Sequence, residues 1–490
     1  MPARARRAHH VNGVEVATPE FDIVVIGGGA GGLVVAAGGA SLGAKVALVE
    51  KHKMGGDCLW YGCVPSKSLL KSARIAHQMR HADRWAIARA DPEIDLAHVM
   101  ERVAGVIRGI EPNDSPERFR ALGVDVILGD GRFTGPDVFE VAGRKLTARH
   151  FVIATGSRPA VPPIPGLADV PFLTNETIFA LRENVPHLLL IGGGPIGCEL
   201  AQAFRRLGSA VTVIDMATGI LPREDRDLAG VVQRTLEQEG VRFHLDARIE
   251  SVGGAKGDLR MVLRKRDGST QALAGTHLLV AAGRRANVEG LGLETARVQV
   301  DNGRIVNTNL ATTNPRVSVI GDAAGGYQFT HVAEHHAGVV LRRAVFRMGW
   351  AKPSPVVPWC TYTDPELARV GLSETEAMAR GIAHKVYRFP LEDIDRARAE
   401  SETEGFAKVV TDPRGKLLGA GIAAPHAGEL IAEYALAITR GLKAADVSGT
   451  IHAYPTFAMV NRRAADQRLK DGLTPTSKRW IKRIFGLRGD

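Results

Sequence analysis

With 490 residues, 45% of them hydrophobic, 24% charged and 55 of them glycine, the chain has room for two to four domains and the make-up of an α/β protein with many tight turns. No apolar run reaches about 18 residues, so no membrane-spanning helix is expected, and four cysteines argue against a disulfide-rich secreted framework. The net charge of +10 is concentrated at one end: between Arg462 and Asp490 nine Lys/Arg stand against three acids, so no nucleic-acid partner is expected.

Met1–Glu20 carries Arg4, Arg6, Arg7, His9 and His10 without an apolar stretch, which predicts a disordered basic tail, not a secretory signal, and a cytoplasmic protein. Phe21–Ile26 reads as a short buried strand that runs into Gly27-Gly28-Gly29-Ala30-Gly31-Gly32. Gly27, Gly29 and Gly32 form a G-x-G-x-x-G turn opening a helix, and the strand Lys45–Val49 follows, ending at Glu50. Gly27 permits the turn, Gly29 the close approach of a pyrophosphate and Gly32 helix–strand packing, while Glu50 can bond a ribose hydroxyl.

Next comes Gly55-Gly56-Asp57-Cys58-Leu59-Trp60-Tyr61-Gly62-Cys63-Val64-Pro65-Ser66-Lys67, with two of the four cysteines. Residues five apart in a regular helix have Cα atoms roughly 8–9 Å apart, and a disulfide needs about 4.4–6.8 Å. The pair can bridge only if Cys58 lies in a loop or distorted turn and Cys63 near a helix start. Pro65 suits the first helical positions, and amides at a helix N-terminus favour a thiolate at Cys63. So small a loop makes a poor structural staple, so the pair reads as redox-active.

A helical region from Ser66 to about Ala121 precedes short strands, and Phe151–Ile153 leads into Ala154-Thr155-Gly156. The opening unit then recurs: the strand His187–Ile191, Gly192-Gly193-Gly194-Pro195-Ile196-Gly197, a helix to Leu207, the strand Ala210–Ile214, and Asp215. In both copies the acid stands eighteen positions after the third glycine. Two dinucleotide sites flanking a cysteine pair imply electrons passing between two dinucleotide cofactors. Asp215 favours NADH over NADPH, because Met216–Gly219 offers no cation and Arg223 is the nearest. Further on, Leu278–Ala282 leads into Gly283-Arg284, Val317–Ile320 into Gly321-Asp322, and a separate α+β domain starts near Val357.

Together these pieces resemble the class I pyridine nucleotide-disulfide oxidoreductases, such as dihydrolipoyl dehydrogenase, glutathione reductase and mercuric reductase, from about Phe21 to Ala465. The resemblance implies two Rossmann-like dinucleotide-binding domains and a C-terminal α+β dimerisation domain. Their expected bounds are 1–20 for the basic tail, 21–160 and 283–352 for the FAD-binding parts, 161–282 for NAD(P), 353–465 for the interface and 466–490 for a basic C-terminal tail. Gly27, Gly29, Gly32 and Glu50 would bind FAD, with Ala154, Thr155 and Gly156 touching it and Asp322 holding its ribitol. Gly192, Gly194, Gly197 and Asp215 would bind NADH or NADPH, and Lys51, Gly56, Asp57, Ile196, Gly283, Arg284 and Gly321 complete the cofactor-binding set. Cys63 would be the thiolate against the flavin and Cys58 the thiol that exchanges with substrate. Lys67 resembles the family lysine beside the flavin, and Glu199 its ion-pair partner.

The chain departs from the best-known members at His452-Ala453-Tyr454-Pro455-Thr456-Phe457-Ala458-Met459, where Tyr454 and Met459 replace a His/Glu acid–base dyad. A phenol is a poor proton acceptor at neutral pH, whereas His452, on the same face of an extended segment, either substitutes or stands by. Mercuric reductases carry a tyrosine there, and Ile220–Asp225 also looks like theirs, although this chain has no C-terminal vicinal cysteine pair and no extra N-terminal metal-binding domain. The expectation is a homodimer reducing a metal ion or a thiol/disulfide, with Cys58 and Cys63 as ligands of a soft metal substrate. Dihydrolipoyl dehydrogenase, and a membrane-associated or quinone-handling flavoprotein, are the alternatives. Cys198 is expected in the core and Cys360 in the core or interface, with a metal-handling role open. In 473–490, Trp480, Ile481, Ile484 and Phe485 share a helical face opposite basic residues, a pattern of membrane-surface helices as well as of tails packed on a dimer or left disordered.

Overall fold

In the computed structural model, which describes residues 10–11, 14–15 and 18–489, the strand Phe21–Ile26 sits in the middle of a parallel sheet. Val317–Val319, Arg144–Ile153, Phe21–Ile26, Val46–Glu50 and Asp125–Leu128 run parallel in that order. Successive side chains point to opposite faces, so Ile23 and Val25 with Val46 and Leu48 enter one core, and Val24 and Ile26 with Ala47 and Val49 enter another. Helices Ala30–Ser41 and Thr330–Ala344 pack together over the first face. A hairpin, Gly131–Gly135 with Val138–Val141, closes the second, where Phe133 meets Phe139 and Phe151 edge-on. An apolar run this continuous is what a parallel sheet covered on both faces requires.

This sheet belongs to the first of two compact units, which takes the chain up to Pro65, Ala104–Arg158 and Arg284–Pro353. The second takes Ser66–Val103, Pro159–Gly283 and the chain from Ser354. It holds a parallel sheet ordered Arg242–His244, Ala210–Ile214, His187–Ile191, His277–Val280. A three-stranded antiparallel sheet, Ala247–Ala255, Asp258–Lys265 and Thr270–Gly275, follows in sequence. The last part is a five-stranded antiparallel sheet, Pro358–Thr361, Glu366–Gly371, Leu417–Ala424, Phe406–Thr411, Lys385–Pro390. Helices Ala427–Thr439 and Met459–Asp471 share its core around Tyr434, whose buried hydroxyl donates to the Asn461 carbonyl at 2.8 Å.

Some expectations change. Residues 66–103 cluster with the second unit, because helix Cys63–Arg80 carries the chain out of the first soon after Cys63. His10–Val11 pairs antiparallel with Val14–Glu15, so the N-terminal twenty residues are not disordered throughout; 1–9, 12–13 and 16–17 lie outside the described residues. At the other end, helix Met459–Asp471 runs past Ala465 and a separate helix, Pro475–Phe485, follows, so 466–490 is largely helical. No described helix is long and apolar enough to cross a membrane.

Candidate active site

Gly27 joins the first strand to helix Ala30–Ser41 at φ +109°, and a Cβ there would lie 2.4 Å from the Ala154 carbonyl oxygen. A Cβ on Gly32 would lie 1.9 Å from the Gly27 carbonyl oxygen, so both positions admit only glycine. At Gly29 a Cβ would meet only the Gly56 Cα, at 3.9 Å, which leaves the space over the helix N-terminus open. That helix has neither a side-chain cap nor an acid in its first turn, so its leading N–H groups suit a ligand anion. Glu50 accepts the Gly28 N–H at 2.6 Å and the His52 N–H at 2.7 Å, one on each oxygen, and each oxygen keeps a lone pair for a ribose hydroxyl. Lys51 beside it is exposed. The cradle fits a dinucleotide.

The second unit repeats these relations nearly distance for distance. Gly192 has φ +113° and a Cβ 2.5 Å from the Ala281 oxygen; a Cβ on Gly197 would lie 1.9 Å from the Gly192 oxygen; Gly194 opens onto free space. Helix Pro195–Arg206 again lacks a side-chain cap and a first-turn acid, and Ile196 stands partly exposed on that turn. Asp215 accepts the Gly193 and Ala217 N–H groups at 2.6 and 2.7 Å. Ala281 and Ala282, which sequence reasoning passed over in favour of Gly283, stand where Ala154 and Thr155 stand in the first copy. The signal was there, an apolar strand followed two residues later by glycine in both copies. Arg223 is exposed, and the cation that folds over Gly219 is Arg226, with Nη1 donating to the Ile220 carbonyl at 3.3 Å. The loop after Asp215 therefore has a positive charge at hand, contrary to expectation.

Cys58 lies in the short helix Gly56–Trp60 and not in a loop. Helical geometry breaks at Tyr61 and Gly62, and Cys63 opens helix Cys63–Arg80, so the departure from a continuous helix that the spacing required falls between the cysteines. A hydrogen bond with Cys63, then burial, push the Cys58 thiol well above its ordinary range, so Cys58 holds its proton. Exposed Cys63 has its sulfur 3.5 Å from the Thr330 hydroxyl.

Arg284 belongs with this group. Its Nη2 lies 3.2 Å from Asp57 and donates to the Ser157 carbonyl at 3.0 Å, and Nε donates to the Ser157 hydroxyl at 2.7 Å. The Ser157 hydroxyl in turn donates to Asp322. Burial raises the Asp322 carboxyl above its usual range against the pull of Ser157 and Arg284. Gly321, at φ +61°, donates its N–H to Nδ1 of His336, whose burial lowers it to about 4 and keeps it a neutral acceptor. Thr155 and Asn287 exchange hydrogen bonds at 2.7 and 2.9 Å, which locks the Ala154–Gly156 turn. Ser157, Asn287 and Thr330 carried no signal in the sequence; only the fold brings them in.

In the second unit, Lys67 Nζ donates to Glu199 at 2.8 Å, and the other Glu199 oxygen accepts the Tyr362 N–H at 2.9 Å. Lys67 also lies 4.4 Å over the Tyr362 ring, so the expected pair forms with an unanticipated third partner. Cys198 is buried with its thiol on the Gly193 carbonyl, and burial raises it. Burial, and then Glu366, push the Cys360 thiol well above the usual range, and the described residues contain no group of three or more side chains set to hold a metal ion.

The acid–base end differs from expectation. His452 does not share a face with Tyr454: its side chain is buried, with Nδ1 2.9 Å from the Thr450 carbonyl and Nε2 2.9 Å from Glu433. Both ring nitrogens are engaged by oxygen acceptors. Tyr454 is exposed and donates its hydroxyl to Asp395 at 3.0 Å, which raises the phenol above its ordinary value. Met459 is buried in the core of the five-stranded sheet.

Known proteins match this arrangement along most of the chain. The pyridine nucleotide-disulphide oxidoreductase family model matches residues 21–337, and that family's dimerisation domain matches 357–465. A dihydrolipoyl dehydrogenase of Bacillus subtilis is 34% identical over 462 residues, 90% of this chain and 96% of that protein. A mercuric reductase of Bacillus cereus is 33% identical over 442 residues, 90% of this chain and 70% of that one. Among solved structures, the HOCl-induced flavoprotein disulfide reductase RclA from Escherichia coli superposes with a TM-score of 0.80 at 28% identity, covering 91% of this chain and 99% of RclA. The dimerisation domain supports a homodimer. The chain belongs to the pyridine nucleotide-disulphide oxidoreductase family and is an FAD-dependent, NAD(P)H-linked flavoprotein disulfide oxidoreductase.

Proposed function

We propose that this enzyme reduces a soft, thiophilic metal ion at the Cys58–Cys63 pair and is not a dihydrolipoyl dehydrogenase. The observation that supports the reading is the placement of His452: its side chain is buried, held between the Thr450 carbonyl and Glu433, while the exposed position Tyr454 carries a phenol in place of an imidazole. Tyr454 keeps its proton and Met459 has none to move. One matched protein is named a mercuric reductase, and RclA, named a flavoprotein disulfide reductase, was also solved as a Cu(II) complex.

FAD on the first cradle, in the unit formed by the chain up to Pro65, Ala104–Arg158 and Arg284–Pro353, and NAD(P)H on the second, within 161–282, fit the glycine geometry and the acid at each strand end, and 353–465 would form the dimer interface. NADH is the preferred donor because an acid at Asp215 favours a free 2′-hydroxyl, against the pull of the Arg226 cation on the same loop. Bound flavin would relay the two electrons of the nicotinamide hydride to the cysteine pair. Cys63 and Cys58 would hold the ion, Thr330 would steady the Cys63 sulfur, and Lys67 and Glu199 would order the start of helix Cys63–Arg80. One hydride reduces one divalent ion to the metal, or two cupric ions to cuprous, and releases the oxidised nicotinamide and a proton. The cytoplasm, where thiols stay reduced, is the matching compartment.

The test compares acceptors with the purified holoenzyme. NADH oxidation should depend on mercuric or cupric ion in excess thiol and be lost in Cys58→Ser. Oxidation of dihydrolipoamide by NAD at a comparable rate would overturn the proposal.

A further inference from the structure

The helix Pro475–Phe485 lies beyond the residues matched by the family's dimerisation domain and has its own start and stop. Thr474 caps its first turn by accepting the Ser477 N–H at 3.1 Å, Pro475 occupies the first position, and Gly486 closes it at φ +64°. None of its residues is buried. Trp480, Ile484 and Phe485 are 58%, 67% and 71% exposed, although apolar side chains of this size normally seek cover. At roughly 100° per residue, Trp480, Ile481, Ile484 and Phe485 fill one side of the helix and Lys478, Arg479, Lys482 and Arg483 the other, with no overlap. Exposed Leu473 and Leu487 flank the apolar side, and no acid lies between Gly472 and Gly489.

We propose that this helix is a membrane-surface anchor, lying in the interface of an anionic phospholipid layer with the Trp480–Phe485 side in the headgroup–acyl boundary and the cations on the lipid phosphates. Two features select that occupant. Pairing with the same helix of a second copy would bring its four cations against these four. A polynucleotide would neutralise the cations and leave the apolar side in water. An anionic bilayer meets both faces at once, and the helix, about 16 Å long, is of a size to lie in the interface and not to cross it.

Flotation of the full-length flavoenzyme with vesicles tests this, using phosphatidylcholine alone and phosphatidylcholine mixed with phosphatidylglycerol. The enzyme should float with the mixed vesicles only, and high salt should release it. Lys482→Gln with Arg483→Gln should lower partitioning roughly 30-fold, at a factor of about five per cation. Trp480→Ala with Phe485→Ala should abolish it, and deletion of 473–490 should abolish it while NADH turnover stays at the full-length rate. Trp480 fluorescence should shift to the blue on the mixed vesicles, read against Trp480→Phe. Failure to float, or flotation unchanged by the deletion, overturns the proposal. So does conversion of the dimer to monomer by the deletion, which would make the helix a subunit contact. Retention on polynucleotide that survives Trp480→Ala with Phe485→Ala would likewise overturn it.

Discussion

Gly32→Ala and Gly197→Ala form a matched pair of perturbations with separable consequences. Each added Cβ would fall 1.9 Å from a backbone carbonyl oxygen, that of Gly27 or Gly192, where ordinary contact begins near 3.4 Å. The obstacle is backbone, so no side-chain rotation relieves it, and the helix must move off its strand by more than an ångström. Overpacking of this kind costs about 1–3 kcal/mol, and the movement would carry the leading N–H groups away from the anion they are proposed to hold. A loss of that size in cofactor binding is a factor of about 5 to 150. Gly32→Ala should be purified with most of its flavin missing, read from visible absorbance after gel filtration. Gly197→Ala should keep its flavin and show a KM for NADH raised ten- to a hundredfold, with kcat changed less. Far-UV circular dichroism checks that both variants are folded. Flavin lost from Gly197→Ala and kept by Gly32→Ala would refute the assignment of cofactors to cradles, and wild-type behaviour in either would refute the steric argument.

Arg206, 5% exposed, donates to Glu239 at 2.6 Å and to Asp364 at 2.8 Å, so Arg206→Met strands two carboxylates and should cost about 3–5 kcal/mol in urea unfolding. Adding Glu239→Gln should recover part of that loss if the cost lies in the stranded charge. Burial alone would raise Asp225, but the Thr375 hydroxyl, the Lys408 ammonium and the Thr375 N–H together bring it down to about 2. Against about 3.9 in the unfolded chain, this contributes about 2–3 kcal/mol of stability, complete above roughly pH 5 and lost as pH falls toward 2. The acid-side fall in Tm should be visibly shallower in Thr375→Val, and an unchanged slope would count against the assignment. For Lys408, burial opposes its carboxylate partners, which prevail and raise it, so its share is present below its unfolded value and is lost as pH rises through the folded one. Tyr454→Phe should leave metal-ion-dependent NADH oxidation at the wild-type rate from pH 6 to 8, since the phenol hydrogen-bonded to Asp395 stays protonated throughout that range. A large loss of rate in this variant would make Tyr454 a proton donor in turnover.

Both dinucleotide cradles were legible because everything that defines them is local: a strand, three glycines, a helix and an acid eighteen residues on. The cysteine pair was legible for the same reason, although Cys58 lies in a short helix where a loop or distorted turn was expected. What surrounds these motifs was not. Ser157 reaches Asp322 across 165 residues and Arg284 across 127. Tyr362 reaches Glu199 across 163. Such contacts are set by which strand lies beside which, and no spacing or periodicity encodes them. His452 shows the limit well. Its Thr450 contact is two residues away, but Glu433, which takes the second nitrogen, comes from helix Ala427–Thr439 nineteen residues back. From sequence alone the ring looked as available as it looked idle.

The two ends of the reaction are built by different physics. At the donor end the working parts are backbone: glycines that no other residue can replace, helix amides, and carboxylates pinned by N–H groups. Nothing there has to gain or lose a proton. The acceptor end is defined by which protons have to move. A disulfide acceptor takes up two protons with its two electrons on becoming a dithiol, and a dithiol donor must give two up, so either reaction needs a group that cycles between acid and base near neutral pH. In this chain the Cys58 thiol is held protonated by Cys63 and burial, the Tyr454 phenol by Asp395, and the His452 ring is bound at both nitrogens. A metal ion takes no proton with its electrons, and its sulfur ligands give up theirs on binding it. The two kinds of acceptor therefore differ in the protons they require and not in how the electrons arrive.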